Sequence, residues 1–328
     1  MAATRTKKQH YVPRFYLDHF KDTDGMVWTY DKKSNNPSAD ARKATPENTA
    51  VSTNFYSVQN EDGSYNDQLE ELLGKIESDA APLYGSLLDG ALPTGDDKDV
   101  MAVFFAALYA RSPALINNVA WLTGAMAQIT TGLTLSSREL FDENMDRMEK
   151  EKGEDATTRE ERDKLFEAMK DRDRFSMAVL QKAGLMAISA IEPVMDVFRK
   201  MHWILVQTKE QHLITSDNPV VKINPDPSPF YGDGGFLMPK VFVTVPLSPK
   251  MMLEMSWKKP HVSRVFQADR DRGRLYNRQR AAFAEQYIFS SKPDGGIGAL
   301  VKKNKDGGVK IRMDGPKLSN IVVKRKLS

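Results

Sequence analysis

The sequence contains no cysteine. This absence excludes disulfides, thiolate metal sites, iron–sulfur clusters and cysteine nucleophiles. The chain also lacks the glycine patterns of Rossmann and P-loop nucleotide sites and the HExxH motif of zinc proteases. His202, His212 and His261 do not have the spacing of a zinc site. The sequence therefore contains no complete catalytic signature that names a reaction.

Long hydrophobic runs are absent as well. No apolar stretch approaches the roughly 20 residues that a helix needs to cross a bilayer. The first ten residues, MAATRTKKQH, carry basic side chains but no apolar segment after them, so they do not have the pattern of a secretory signal. We therefore expect a cytoplasmic protein that does not enter a membrane. The lack of cysteine is compatible with a reducing compartment.

The net charge of +3 hides an uneven distribution. Residues 258–328 contain 18 basic and 6 acidic side chains, a net charge of +12, whereas residues 1–257 contain 29 basic and 38 acidic side chains, a net charge of −9. If the basic side chains converge in space, such a region is suited to a polyanion. The alternative is that lysine and arginine simply keep tails and loops soluble.

Hydrophobic periodicity predicts an α+β fold, with small strand units from both sequence ends around a large inserted helical block. We predict a short helix after Pro13 and strands at MVWTYDK and NFYSV, then helices almost throughout residues 66–201. Strands are predicted again at HWILVQ, HLITS, KVFVTVPL, KMMLEMSW and YIFSS, with a helix around residues 269–286. Each strand group is too small to bury both faces alone, so we predict a single domain over residues 1–328.

Several motifs together resemble a bacterial and phage family of unknown function. They occur in the order QHYVPRFYLDHF, VWTYDK, NFYSV, a helix with Glu70 and Glu77, ALYARSP, ITSDNPVV and VPLSP. The core of the resemblance is an N-terminal QHYVPxFYL motif followed by SDNPV and PLSP. The similarity spans most of the chain and is weakest over residues 136–195. It implies that these segments belong together and carries no activity with it.

His10 is the first candidate catalytic residue. It precedes a short helix whose N-terminal amides carry partial positive charge, which disfavours imidazolium and leaves a neutral ring that can accept a proton or bind a metal. The alternative is a structural histidine that is hydrogen-bonded to the backbone or to a carboxylate.

Asp217 and Asn218 are the other two catalytic candidates, within Ser-Asp-Asn-Pro at a predicted strand end. Asp217 could bind a divalent cation or orient His10, and Asn218 could hold a substrate oxygen. The alternative is a turn in which these side chains satisfy their own backbone.

Charged residues on the helices supply further candidates. Glu70 and Glu77 are seven residues apart and lie near one helical face, where they form either part of a cation site or a solvated stripe. Arg111 interrupts an apolar helix, so it needs a carboxylate or phosphate partner, and we treat it as a substrate-binding candidate. The other substrate-binding candidates are the arginines of the basic region, Arg270, Arg272, Arg274 and Arg278.

Two functional classes follow from these candidates. In the first, the protein hydrolyses phosphodiesters in nucleic acid, with basic residues holding phosphates, His10 and Asp217 supplying base or metal chemistry, and Mg²⁺ or Mn²⁺ as cofactor. In the second, it is a non-catalytic module that binds nucleic acid or protein, and its polar motifs are structural. Convergence of His10, Arg111 and Asp217 in one cleft would favour the enzyme.

Asp226, Glu254 and Lys258 resemble a restriction-endonuclease pattern, but Ser256 stands where the lysine of that pattern is expected.

Overall fold

The computed structural model describes residues 8–53, 58–59, 65–66, 68–153, 155–170, 180–228, 232–260 and 265–307. The strands are β1 (Lys8–His10), β2 (Val27–Asp31), β3 (Arg42–Ala44), β4 (Val51–Thr53), β5 (Val58–Gln59), β6 (Tyr65–Asn66), β7 (His202–Thr208), β8 (Thr215–Ser216), β9 (Val221–Ile223), β10 (Phe242–Ser248), β11 (Met251–Ser256), β12 (Val265–Ala268) and β13 (Tyr287–Ser290). The helices are α1 (Arg14–Asp18), α2 (Gln68–Leu88), α3 (Gly95–Ala110), α4 (Pro113–Thr134), α5 (Arg138–Lys152), α6 (Arg159–Lys170), α7 (Leu180–Ile188), α8 (Ile191–Lys200), α9 (Arg270–Phe283) and α10 (Gly295–Lys303).

This element order confirms the predicted α+β class, because strands from both sequence ends flank a helical block. The predicted strand NFYSV falls mostly on residues 54–57, which lie outside the described residues. The described residues form two compact units, one made from residues up to 117 and from 184 onwards, the other from residues 118–183. A single domain over residues 1–328 would mean that the chain folds cooperatively as a whole, and this stays a prediction.

Strands from the two ends of the chain share a four-stranded sheet in the first unit. Its order is β3-β2-β13-β8, and all its pairs are antiparallel. Ile288 of β13 lies opposite Tyr30 on one side and Ser216 on the other. This pairing places the Ser-Asp-Asn-Pro segment beside the C-terminal strand, although the two are far apart in sequence.

The larger sheet of the first unit has the order β12-β7-β11-β10-β9, with β12 and β7 parallel and the other pairs antiparallel. Its buried side chains, such as Leu205, Val243 and Leu253, belong to the same hydrophobic core as Phe104 of α3 and Phe198 of α8. The parts of the helical block on either side of residues 118–183 therefore pack into the core that the strands build. Burial of this apolar surface is the main stabilising contribution to the unit.

The apolar part of the helical block is interrupted near Pro113, since α3 ends at Ala110 and α4 begins at Pro113. Proline is favoured at the first position of a helix because the missing N–H has no partner there in any case. Among the described residues, no single helix is long and apolar enough to span a membrane; only α3 and α4 taken together as a bent pair pass that criterion.

In the second unit, α5 and α6 form a charged helical pair. The rings of Phe141 and Phe166 pack edge to face with centroids 5.1 Å apart, and the Arg138 guanidinium lies over both. Arg162 forms ion pairs with carboxylates of α5, the closest being Glu149 at 2.6 Å. Gly153 ends α5 in the left-handed conformation that glycine adopts without steric cost. The chain therefore turns between these two charged helices at Gly153.

Candidate functional site

The N-terminal motif enters the fold as strand β1, which pairs with β4 so that His10 lies opposite Val51. Alternation along the strand turns Gln9 inward, where its Nε2 donates to Glu70 Oε2 at 2.6 Å. The next residue, His10, is half-buried, and its Nε2 has no hydrogen-bond partner among the described residues. The strand therefore holds a ring nitrogen away from water.

The surroundings of His10 favour its neutral form. Burial lowers the pKa of the ring, and the Arg111 guanidinium lowers it further; Glu77 and the backbone carbonyls of Pro46 and Glu47 act in the opposite direction. A neutral imidazole with an uncommitted nitrogen can accept a proton.

Arg111 follows the last residue of α3, and its side chain is only 2% exposed. Its Nη1 lies 2.7 Å from Glu77 Oε1, so the carboxylate partner expected from the sequence is Glu77. We call Gln9, His10, Glu70, Glu77 and Arg111 the His10 cluster. Both glutamates lie on α2: Glu70 binds Gln9, and Glu77 binds Arg111.

The Ser-Asp-Asn-Pro segment, residues 216–219, which we call the SDNP loop, makes a different set of contacts. Asp217 is 1% exposed, and its carboxylate accepts hydrogen bonds from the backbone amides of Glu285, Gln286 and Tyr287 at 2.9, 2.6 and 2.7 Å. Burial raises the pKa of Asp217 to about 6, against the effect of these amides. Both carboxylate oxygens are thus engaged with the chain between α9 and β13.

Asn218 is also held by the backbone. Its Nδ2 donates to the Phe283 carbonyl at 3.1 Å, and its own N–H donates to Ser216 Oγ at 3.1 Å. Its Oδ1 is buried with no hydrogen-bond partner in the part of the chain that the structure describes. Only the contacts between Ser216 and Asn218 are local, as in a turn that satisfies its own backbone. The side chains of Asp217 and Asn218 instead bind the backbone of residues 283–287, which is distant in sequence.

Arg280 is a central residue of this region that the sequence analysis missed. It is 1% exposed, and its guanidinium donates to the carbonyls of Asn218 at 3.0 Å, Pro219 at 2.6 Å and Thr244 at 3.1 Å. It forms no ion pair with a described residue, and burial lowers its pKa to about 10. The helical spacing from Gly273 and Tyr276, which are also buried, could have identified it as facing the core.

The four arginines predicted to bind substrate do not share one environment. Arg272 is engaged with other side chains, although its own side chain is 38% exposed. Its Nη2 contacts both oxygens of Glu254 at 3.2 and 3.0 Å, its Nε donates to the Tyr276 hydroxyl at 2.7 Å, and it lies over the ring of Phe266. Its role as a phosphate ligand remains a prediction, and these contacts use its Nε and Nη2 donors. The carboxylate of Glu254 accepts hydrogen bonds from Arg272 and from the Tyr276 hydroxyl.

The other three arginines, Arg270, Arg274 and Arg278, are exposed and recur every four residues along α9. They therefore share one face, which we call the arginine row. Arg274 lies 3.6 Å from Asp271, whereas Arg270 and Arg278 form no ion pair with a described residue. From Arg270 to Arg278 the row extends about 12 Å at the rise of an α-helix.

Of the predicted site residues, the structure brings His10 and Arg111 close enough for their charges to interact, and Glu77, the ion-pair partner of Arg111, also acts on His10. Asp217 and Asn218 lie together in the SDNP loop, and no hydrogen bond or ion pair between described residues joins them to His10. The described ranges contain no group of three or more histidine, aspartate and glutamate side chains that could hold a metal ion. The cation that the hydrolase hypothesis requires stays a prediction.

Comparison with known proteins places the chain in a family but gives it no activity. A family model described as a protein of unknown function, DUF4238, covers residues 8–294. That range contains the His10 cluster, the SDNP loop and the arginine row. No curated protein and no solved structure matches the chain. The match is consistent with the resemblance inferred from the order of the motifs, and it supplies no substrate or site.

Proposed function

Because the chain belongs to DUF4238, a family of unknown function, its activity has to be inferred from its own side chains, and we propose that it binds nucleic acid through the phosphate backbone. The observation that carries the proposal is the arginine row, three exposed guanidinium groups on one helical face. Arginine donates two parallel hydrogen bonds to phosphate, which makes it well suited to this contact.

The opposite side of α9 supports the row by fixing the helix. Arg272 and Tyr276 bind Glu254 of β11, and Arg280 binds carbonyls of the SDNP loop and β10. The arginine row is therefore presented on a rigid element, so its backbone loses little entropy on binding. The net charge of +12 on residues 258–328 adds a favourable long-range field.

Salt dependence tests this proposal. Short single-stranded and double-stranded DNA and RNA should bind the wild type, and the slope of log K against log salt should become shallower by about 0.9 for each duplex phosphate that is no longer neutralised. The triple variant Arg270→Gln, Arg274→Gln, Arg278→Gln should reduce that slope by about 2–3. The control variant Arg147→Gln, Lys150→Gln, Lys164→Gln removes the same charge from the second unit and should bind as the wild type does.

Absence of binding at low salt, or an equal decrease in affinity in both triple variants, would refute the proposal. An equal decrease would mean that only the overall charge matters. The row is exposed, so its variant should keep the melting temperature of the wild type, and that measurement separates weakened binding from weakened folding.

A second candidate function, phosphodiester hydrolysis, is favoured by the buried Nε2 of His10, which has no partner among the described residues. Its neutral ring would act as general base, and Arg111 would stabilise developing negative charge; Asp217 would position the chain rather than react. RNA and DNA should be screened for cleavage with and without Mg²⁺ or Mn²⁺. His10→Ala should lower turnover by about 10²–10⁴-fold with little unfolding if His10 is the base. Wild-type turnover in a folded His10→Ala protein would remove it from the site.

A further inference from the structure

The loop between β7 and β8 lies directly against α9, beside the arginine row. Asn277 Nδ2 donates to the His212 carbonyl at 2.7 Å, and Asn277 Oδ1 accepts from the Ile214 amide at 3.1 Å. Gly273 allows the close approach, because a Cβ at that position would lie 2.6 Å from the Gln211 Cβ. At 3.6 residues per turn, Asn277 is about 60° around the helix from Arg274, so this loop flanks the row.

Two lysines from other segments meet the same loop. Lys250, in the turn between β10 and β11, donates through Nζ to the Lys209 carbonyl at 2.9 Å, and the Leu213 amide donates to the carbonyl of Pro249 at 2.9 Å. Lys292 follows β13, next to Ser291, whose Oγ lies 3.4 Å from His212 Nδ1. Three chain segments thus converge on His212, and two of them bring a lysine.

The charge balance around His212 is positive. Lys250 and Lys292 are exposed and form no ion pair with a residue in the described ranges. Burial of the ring lowers the pKa of His212, the charges of Lys292 and Lys250 lower it further, and Asp294 is the carboxylate that acts in the opposite direction. Asp294 is itself engaged as the cap of α10, where Oδ1 accepts from the Gly296 amide at 2.7 Å. The exposed neighbours Lys209 and Glu210 in the loop have opposite charges.

We propose that His212, Lys250 and Lys292, which we call the His212 patch, form an anion subsite that binds a backbone phosphate and continues the surface of the arginine row. This inference rests on the proposed nucleic-acid binding and adds a second contact region to it. A phosphate placed there is attracted by both ammonium groups. It also offsets the lysine repulsion that adds to burial in keeping the imidazole neutral, so His212 takes up a proton as the ligand binds.

Proton uptake on binding has a defined consequence for affinity. When a ligand raises the pKa of one group, its affinity increases as the pH falls through the titration of that group, by at most about tenfold per pH unit. The nucleic-acid affinity of the wild type should therefore rise from about pH 8 towards about pH 6 at constant salt, the range in which histidine titrates. Simple phosphate contacts by arginine and lysine do not change protonation in this range, so they give no such slope.

The test compares Lys250→Gln, Lys292→Gln with the control Lys302→Gln, Lys303→Gln, which removes the same charge from two exposed lysines of α10. Binding of a short oligonucleotide is measured against salt and pH, and the His212 titration is followed by NMR. The patch variant should reduce the salt slope by about 2, whereas the control should retain the slope. In the free patch variant the pKa of His212 should rise, and His212→Gln should abolish the pH dependence of binding while the patch lysines remain.

The subsite and the proposed function fail under different outcomes. Binding that depends on the arginine row but is unchanged in the patch variant, with no pH dependence, would overturn the subsite and leave the proposed function standing. No binding by the wild type at low salt would overturn both. An unaltered His212 titration in the free patch variant would show that the lysines do not face the ring and would also overturn the subsite.

Discussion

The His10 cluster and the SDNP loop are both polar motifs at the ends of short strands, but the hydrogen bonding of Asp217 differs from that of His10. In the SDNP loop, the carboxylate of Asp217 is engaged with three backbone amides. In the His10 cluster, one ring nitrogen has no hydrogen-bond partner among the described residues. Asn218 Oδ1 in the SDNP loop is likewise buried without a partner among the described residues. Buried polar groups are normally satisfied, so stability explains the contacts of Asp217, whereas the unpartnered atoms of His10 and Asn218 raise a question of function.

Replacing Asp217 should have the largest effect in this comparison. Asp217→Ala leaves three backbone amides without their acceptor and should lower the free energy of unfolding by about 3–5 kcal/mol, since each donor left unsatisfied inside a protein costs about 1–3 kcal/mol. Chemical denaturation measures this. Asp226→Ala is the control, because that aspartate is exposed and its ion pair is with the exposed Lys240. Unchanged stability in Asp217→Ala would contradict the structural role and return Asp217 to the catalytic candidates.

The pH dependence of stability should have opposite signs for the two motifs. Burial raises the pKa of Asp217 from 3.8 to about 6, so its contribution to stability is complete below 3.8 and is lost as the pH rises through about 6. That loss is about 3 kcal/mol at about 1.36 kcal/mol per unit. The pKa of His10 is lowered from 6.5, so its contribution is present above 6.5 and is lost as the pH falls.

Unfolding free energies of the wild type and two variants, measured across this pH range, separate the two contributions. Asp217→Asn should lack the decline between 3.8 and about 6, because an amide does not titrate. His10→Gln should lack the loss of stability on acidification below 6.5. If the Asp217→Asn profile runs parallel to that of the wild type, Asp217 does not titrate as its surroundings imply.

The fold class was predictable because periodicity and composition report directly on burial. The strand at residues 202–207 follows from its length and its β-favouring composition, and the helix around residues 269–286 was also predicted from the sequence. The long-range polar contacts were not predictable in the same way. Glu77 as the partner of Arg111, and the three amides at Glu285 to Tyr287 as partners of Asp217, depend on packing between segments distant in sequence. Arg280 was missed because charge suggested the surface, whereas its position on α9 pointed to the core.

The ion pair between Glu77 and Arg111 allows the finest test of the comparison, because it acts on His10 without touching the SDNP loop. Glu77→Gln keeps the size of the side chain and removes the charge that raises the pKa of His10, while the lowering effect of Arg111 remains. The pKa of His10 should therefore fall further, as measured by NMR titration. The free energy of unfolding should drop by about 1–3 kcal/mol, because the buried guanidinium of Arg111 loses its charged partner.

The control Glu71→Gln removes the same charge from an exposed position of α2 and should leave the pKa of His10 and the stability as they are in the wild type. A His10 titration that is identical in Glu77→Gln and wild type would show that the glutamate and the imidazole do not interact, and the His10 cluster would then have no electrostatic basis as a reactive site.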